Sequence, residues 1–308
     1  MRRVVVLAAL ISVGALSLVV SGQAPGPSEK SIAAAKIEKV KDNLYIIAGS
    51  GAEDNEAFSG GNVAVFITDN GVTIVDAKLP GFGQTIVDRV KSVTNKPITR
   101  IINTHTHNDH TGSNEFFGAS IESIVQENTK ANMVKMDEFK GPKAKFLPKK
   151  TYKDSMKIGS GKDEIDLYYF GRGHTNGDTF VVFPALRTMH VGDIFAWKAL
   201  PYVDADNGGS VIDQPKTLAK AVATVRNVDT IINGHIPVST WKDLQEYTQF
   251  TKEFADFAVK EMKAGKTAAQ AADEWKLDPK FKGYVVSVNP AFGGAKANMD
   301  IAYSELKK

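Results

Sequence analysis

Hydrophobic positions along this chain fall into short blocks whose period switches between two and about 3.6 residues. From Val40 to Ala48 the pattern runs through Leu44-Tyr45-Ile46-Ile47 and predicts a strand. Asn62 to Thr68 and Val72 to Val75 predict two more, and Asp69-Asn70-Gly71 between them predicts a hairpin. Gly49 to Gly61 is glycine-rich and polar around a single aromatic, Phe58, and reads as a mobile loop. After Pro80, the residues Ile86, Val87, Val90 and Val93 share one helical face until Asn95-Lys96-Pro97 ends it, and Arg100 to Asn103 is strand-like again.

A weaker echo follows. Strands are expected over Ser155 to Ile158, Ile165 to Phe170, Thr179 to Pro184 and Thr188 to Val191. Next comes a helix capped by Asp213, with Pro215 in its first turn and Leu218, Ala221, Val222 and Val225 on one face, and then a strand, Thr230 to Asn233. Two halves of strands, each with an outer helix, predict two sheets packed face to face between helix layers. From Trp241 the chain reads as helical to its end. Leu244, Tyr247, Phe250, Phe254 and Phe257 keep helical spacing, Gly265 stops that helix and Thr267 caps another. The stripe is assigned to core packing, so 241–308 is expected to be a helical extension packed on the domain formed by 37–240.

The first residues follow a different rule. Arg2 and Arg3 precede an apolar run from Val4 to Val20, loosened by Ser12, Gly14 and Ser17 and followed by Ser21 and Gly22. This predicts a secretory signal peptide over 1–22 and a linker over 23–36 that contains Ala24-Pro25-Gly26-Pro27. An uncleaved anchor is the competing reading, because the run is close to the minimum of about 17 residues for a bilayer span. The small residues and the Pro-rich stretch favour cleavage, hence a periplasmic or secreted protein without stable membrane association afterwards.

Composition narrows the chemistry. The chain has 308 residues, 43% of them hydrophobic, enough for a large core. Its net charge is only +3, 38 basic against 35 acidic residues, with no long basic run, which argues against nucleic acid as a partner. The lysines between Lys130 and Lys162 are interspersed with acidic and turn residues and read as a solvated face. There is no cysteine, so disulfides, thiolate ligands and thiol nucleophiles are all excluded.

Against that background one run stands out: His105-Thr106-His107-Asn108-Asp109-His110, delivered by the strand that ends near Asn103. Imidazole and carboxylate are ligands for first-row metals, above all zinc. Three more candidates, His174, Asp193 and His235, each sit in a turn beside a glycine. His105, His107 and His174 would form one site and Asp109, His110 and His235 a second, with Asp193 as a bridge. Two dications, two carboxylates and one hydroxide leave a charge of roughly +1, and water shared by two such cations is deprotonated near neutral pH. His190, on a strand with no adjacent turn, is assigned to structure, as is Asp76, through hydrogen bonds to a ligand or to backbone. Phe58, Trp197, Lys198 and Tyr202 are pocket candidates by position alone.

His105-x-His107-x-Asp109-His110 followed in order by His174, Asp193 and His235 resembles the metallo-β-lactamase superfamily. Gly60-Gly61-Asn62, Thr73-Ile74-Val75-Asp76 and Gly173-His174-Thr175 add weaker support over roughly Val40 to His235. The resemblance implies an α/β protein of the αββα four-layer sandwich type with a dinuclear site at one edge, usually zinc, with iron or manganese as alternatives. Lactamases with a cysteine ligand are excluded, and three-histidine lactamases usually lack a bridging aspartate. Asp193 is more similar to hydrolases of thioesters, lactones and phosphodiesters, including the glyoxalase II group. The resemblance therefore implies an exported hydrolase of a small ester, thioester, lactone or amide, β-lactams included, that uses a dizinc-bound hydroxide. Asp109 would orient the nucleophile and carry a proton. Two other functions stay open: an oxygenase of the persulfide dioxygenase kind, with one iron on two histidines and an aspartate, and a non-catalytic metal-binding protein.

Overall fold

The computed structural model describes residues 26–49, 54–289 and 292–307; the expected signal peptide lies outside them. Among the described residues two sheets face each other. The first contains β1 (Ile37–Lys41), β2 (Leu44–Ile47), β3 (Val63–Thr68), β4 (Gly71–Val75), β5 (Ile98–Ile102), β6 (Glu122–Gln126) and β7 (Lys150–Tyr152), side by side in sequence order. Pairing is antiparallel up to β4 and parallel from β4 onward. In the second sheet, β8 (Ser155–Ile158), β9 (Ile165–Tyr168), β10 (Phe180–Phe183) and β11 (Thr188–Gly192) pair antiparallel in sequence order. β12 (Thr230–Asn233) then joins β11 in parallel, and β13 (Ser239–Thr240) closes that edge.

Strand periodicity sorts the side chains into layers. On β3, Ala64 and Phe66 face inward, while Val63 and Val65 face outward; on β10, Val181 and Phe183 face inward and Phe180 and Val182 outward. The inward set forms the core between the sheets, where the rings of Phe66 and Phe183 stand 5.0 Å apart. Outward residues of the first sheet pack on Phe82 and on Ile86 and Val90 of α2 (Gly83–Lys91). Those of the second sheet pack on Leu218 and Ala221 of α5 (Gln214–Thr224), Leu244 and Tyr247 of α6 (Trp241–Lys263), and Met299 and Ala302 of α8 (Ala295–Leu306). The result is the αββα sandwich, with C-terminal helices laid over the second sheet. The aromatic stripe of α6 is core: Tyr247 stacks on Phe195 with ring centroids 4.2 Å apart.

Several details depart from the sequence reading. Val40 to Ala48 is not one strand, because Asp42-Asn43 turns the chain between β1 and β2, with Asn43 donating its side-chain amide to Ile67 O at 2.7 Å. Within the stretch read as a linker, Glu29–Ala34 form α1, capped by the Ser28 hydroxyl. β6 and β7 went unpredicted because β6 is polar at Glu122, Ser123 and Gln126 and β7 has only three residues at one edge of its sheet; between them lies α4 (Glu127–Met133). Asp213 stands at the start of α5 without capping it, its carboxylate being taken by Arg172 and Lys216. Thr267 does cap α7 (Ala268–Glu274), by a reciprocal bond pair with Gln270. The C-terminal part is not helical throughout. The described residues between α7 and α8 follow an irregular path, consistent with Pro279, Gly283, Pro290 and Gly293-Gly294 in that stretch.

Candidate metal centre

The loops that follow β5, β9, β11 and β12 all open at one edge of the sandwich, and they carry every candidate ligand. After β5 the chain bends through Thr104, His105 and Thr106 to an extended His107, which stands at the N-cap of a single turn, α3 (Asn108–Thr111), so Asp109 and His110 fold back toward His105. Two groups result: His105, His107 and His174, and Asp109, His110, Asp193 and His235, with the ligating atoms of each group within 4.8 Å of one another. Glycines make the approach feasible. A Cβ on Gly61 would collide with the His110 ring, and one on Gly234 with Asp193 Oδ1.

For His105, His107, His110 and His174, hydrogen bonds on the far side of the ring decide which nitrogen faces in, whereas His235 Nδ1 has no such partner. His174 Nδ1 donates to Tyr202 O at 2.6 Å, leaving Nε2 inward. His107 Nε2 donates to Asp204 Oδ2 at 2.7 Å, leaving Nδ1 inward and 2.9 Å from His174 Nε2. His105 Nδ1 lies 3.0 Å from Thr104 Oγ1, whose proton goes to Asp76 Oδ2. His110 Nδ1 donates to that same Asp76 oxygen at 2.7 Å. In the second group His235 Nε2 is 3.2 Å from both Asp109 Oδ2 and Asp193 Oδ2. Asp193 spans the groups, with Oδ1 3.2 Å from His110 Nε2 and Oδ2 3.9 Å from His174 Nε2.

Electrostatics differ between the groups. Burial, then the neighbouring histidines, holds His105 well below the usual imidazole range and brings His174 down to about 4. Burial opposes charge on His110 and His235 too, but Asp193 and Asp109 outweigh it, raising His110 well above its ordinary value and His235 to about 9. Against the same burial, His110 and His235 bring Asp109 down to about 2, and His235 and His110 hold Asp193 well below the carboxylate range. His105 and His174 are thus held as neutral imidazoles, and in the second group protons occupy positions for which a cation competes. His105 Nε2 is buried and has no hydrogen-bond partner, while His110 Nε2 and Asp193 Oδ1 face each other at 3.2 Å. Convergent lone pairs, an unpartnered buried nitrogen and an all-nitrogen and oxygen donor set fit divalent metal.

Three residues that sequence reasoning passed over or left peripheral complete the centre. Asp204 is fixed in its own turn by the amides of Asp206 and Asn207, and its link to His107 crosses 97 residues, so no local signal announced it. Asp76, at φ 69°, also accepts the Thr104 amide on Oδ1 and thereby holds a ligand and backbone together. Lys78 is fully buried and donates to Ala48 O, Ser59 Oγ and Gly61 O, tying down the loop under His110; burial lowers it to about 7, opposed by Asp109. His190 is structural: its Nε2 donates to Asn62 O at 3.2 Å and its Nδ1 accepts from Gly192 N. Of the positional candidates, Phe58 stacks on His235, Trp197 leans on it, and Tyr202 borders His107 and His174. Lys198 turns away to Asp243 at 2.6 Å.

A cavity of about 280 Å³ opens over the ligands, with Phe58, Leu79, Trp197, Tyr202 and Phe292 among its walls. Fold and site together define a metal-dependent hydrolase. The chain belongs to the metallo-beta-lactamase superfamily, whose profile matches residues 57–235. It is similar to the metallo-beta-lactamase type 2 of Elizabethkingia meningoseptica, 26% identical over 214 residues that cover 68% of this chain and 80% of that one. Metallo-beta-lactamase IND-1 of Chryseobacterium indologenes is 25% identical over 205 residues, 66% and 81% of the two chains. In fold it resembles the metallo-beta-lactamase from Pontibacter korlensis (TM-score 0.61, 15% identity, 70% of this chain and 98% of that one). DIM-1 metallo-beta-lactamase is comparable, with a TM-score of 0.59, 20% identity and coverage of 71% and 97%.

Proposed function

We propose that this protein is an exported dinuclear zinc hydrolase of the glyoxalase II-like and lactonase-like kind, cleaving a small ester, thioester, lactone or amide. In this reading His105, His107 and His174 hold one ion, Asp109, His110 and His235 the other, and Asp193 contacts both. The observation that carries it is Asp193 reaching both groups, within 3.2 Å of His110 Nε2 and 3.9 Å of His174 Nε2. Export rests on the residues of 1–22, and no helix of the described residues is long and apolar enough to cross a membrane. Residues 37–240 form the catalytic unit, and 241–308 belong to the same domain. The names of the relatives add β-lactams to the compounds worth assaying.

When bound, two zinc ions supply Lewis-acid polarisation of the scissile carbonyl and acidify water toward neutral pH. The protein does the rest by placement. Asp109 is the most exposed ligand of the second group, its side chain 19% accessible against 7% for Asp193, so it faces the cavity where substrate arrives. It orients the attacking water and passes its proton toward the departing oxygen, sulfur or nitrogen. Phe58, Leu79 and Trp197 keep bulk water from the reacting bond. Asp76, Thr104 and Asp204 fix the imidazoles so that no reorganisation is needed during turnover. Asp109→Ala and His107→Ala test the assignment: each abolishes turnover and lowers zinc content, and unchanged turnover after either refutes it.

A further inference from the structure

The cavity over the ligands is one lobe of a longer cleft. At about 280 Å³ it stands at the low end of small-molecule sites, which usually span about 300–1,000 Å³. A second cavity of about 460 Å³ shares Trp197 and His235 with it and continues along Ile46, Ile236, Pro237 and Val288. The far wall comes from the irregular segment between α7 and α8, beyond the 57–235 span that the superfamily profile matches. That segment is tied to the loop after Asp193, since Val285 N donates to Lys198 O at 3.0 Å and Val285 bridges Ala199. Phe292 reaches back over the ligands, its ring 6.3 Å from Trp197 and 6.0 Å from Tyr202.

Charge is distributed unevenly along this cleft, with Asp109 and Asp193 at the ligand lobe and Glu38 and Lys198 at the far one. Among the described residues, no lysine or arginine lines the lobe over the ligands. Lys198, at the far lobe, is held by Asp243 and lies against the Tyr284 ring, and the ammonium of Lys78 is engaged by three buried acceptors. Residues 50–53 and 290–291 contain no lysine or arginine. A substrate carboxylate would find no lysine or arginine in the ligand lobe, and only the metal ions themselves could receive it. Exposed apolar surface, by contrast, is present at the far lobe, where Val285 is 45% exposed.

We infer that the substrate is an uncharged lactone, ester or thioester with a linear hydrocarbon tail, and that the tail runs from the ligand lobe past Trp197 into the lobe walled by Val285 and Val288. This rests on the hydrolase reading above and narrows it. Water adds to the acyl carbon, the acyl carbon–oxygen or carbon–sulfur bond breaks, and the products are a carboxylic acid and an alcohol or thiol, with no oxidant or reductant required.

The test uses the zinc-loaded full chain and 4-nitrophenyl esters of linear alkanoic acids from acetate to dodecanoate, beside benzylpenicillin as an anionic comparison. We expect kcat/KM to rise with chain length by up to about fourfold per methylene until the far lobe is filled. Val288→Trp, which fills that lobe, should lower the decanoate-to-acetate ratio by about tenfold, and benzylpenicillin should fall about tenfold or more below octanoate. Should the variant not fold, calorimetric titration of the unmodified protein with linear alkanols from butanol to decanol decides the matter, with affinity climbing by a similar step per methylene. A flat chain-length profile, chain-independent alkanol binding, or a preference for benzylpenicillin overturns this inference and leaves the hydrolase standing. Zinc-loaded protein that turns over none of these compounds overturns both.

Discussion

Asp76→Asn tests what one carboxylate contributes to the ligand site, directly through His110 and by way of Thr104 to His105. Both oxygens of Asp76 accept: Oδ1 takes the Thr104 amide at 2.8 Å, and Oδ2 takes His110 Nδ1 and the Thr104 hydroxyl, each at 2.7 Å. An asparagine is isosteric but offers one acceptor atom, so whichever way the amide turns, an NH2 meets an N–H. If it faces Thr104 N, a buried donor loses its partner, which costs about 1–3 kcal/mol of stability. If it faces His110, the imidazole must carry its proton on Nε2, the atom aimed at Asp193, and it ceases to be a metal ligand. Loss of a partner of this kind typically weakens metal affinity by about 10–100-fold. We therefore expect the second equivalent of zinc to bind about 10–100-fold more weakly, and the first to weaken as well when the amide NH2 faces the Thr104 hydroxyl, which links His105 to the same Asp76 oxygen. Competitive titration against a chromophoric chelator resolves the two equivalents, and urea unfolding of the metal-free protein gives the stability change. Wild-type affinity for both equivalents would refute the argument that Asp76 sets the His110 tautomer.

Other consequences follow from the same structure. Asp204→Ala leaves His107 Nε2 without its acceptor, so zinc at the first group should weaken by about tenfold or more in the same titration, and unchanged binding would make that contact incidental. Phe66→Ala empties a fully buried position opposite Phe183 and should cost about 3–5 kcal/mol in urea unfolding, with a loss under about 1 kcal/mol contradicting the packing. Lys78 is lowered from 10.5 to about 7 in the folded chain, so the unfolded chain binds the extra proton between those values. The stability it contributes is complete above pH 10.5 and is lost as pH falls through about 7. The difference is on the order of a few kcal/mol. Lys78→Met should flatten that part of the stability profile, and an identical profile in the variant would refute the assignment.

How far the sequence reveals this molecule depends on the range of each interaction. The alternating blocks of β3, β10 and β12 and the aromatic stripe of α6 are local patterns, and each appears where its period predicts. β6 and β7 lacked such a pattern because one is polar at Glu122, Ser123 and Gln126 and the other has only three residues. The ligands were legible for a different reason: imidazoles and carboxylates stand in turns at strand ends, and the structure brings His105, His107, Asp109, His110, His174, Asp193 and His235 together. Their supports were legible only in part. Asp76 reads as a strand-end residue bonded to a ligand or to backbone, and it bonds His110 and the Thr104 amide, but the partnership of Asp204 with His107 depends on how distant loops meet, and nothing near Asp204 in sequence distinguishes it from a turn residue. Val288 and Phe292 are obscure for the same reason, since the segment that carries them reaches the site only after the C-terminal helices have packed on the second sheet.

The most direct measurement is elemental analysis of the protein purified from its native source without added metal. About two zinc ions per chain, falling toward one in Asp76→Asn and lower still in His107→Ala, is the expected result. About one iron per chain would point to oxygen chemistry, and protein without metal would contradict a dinuclear hydrolase.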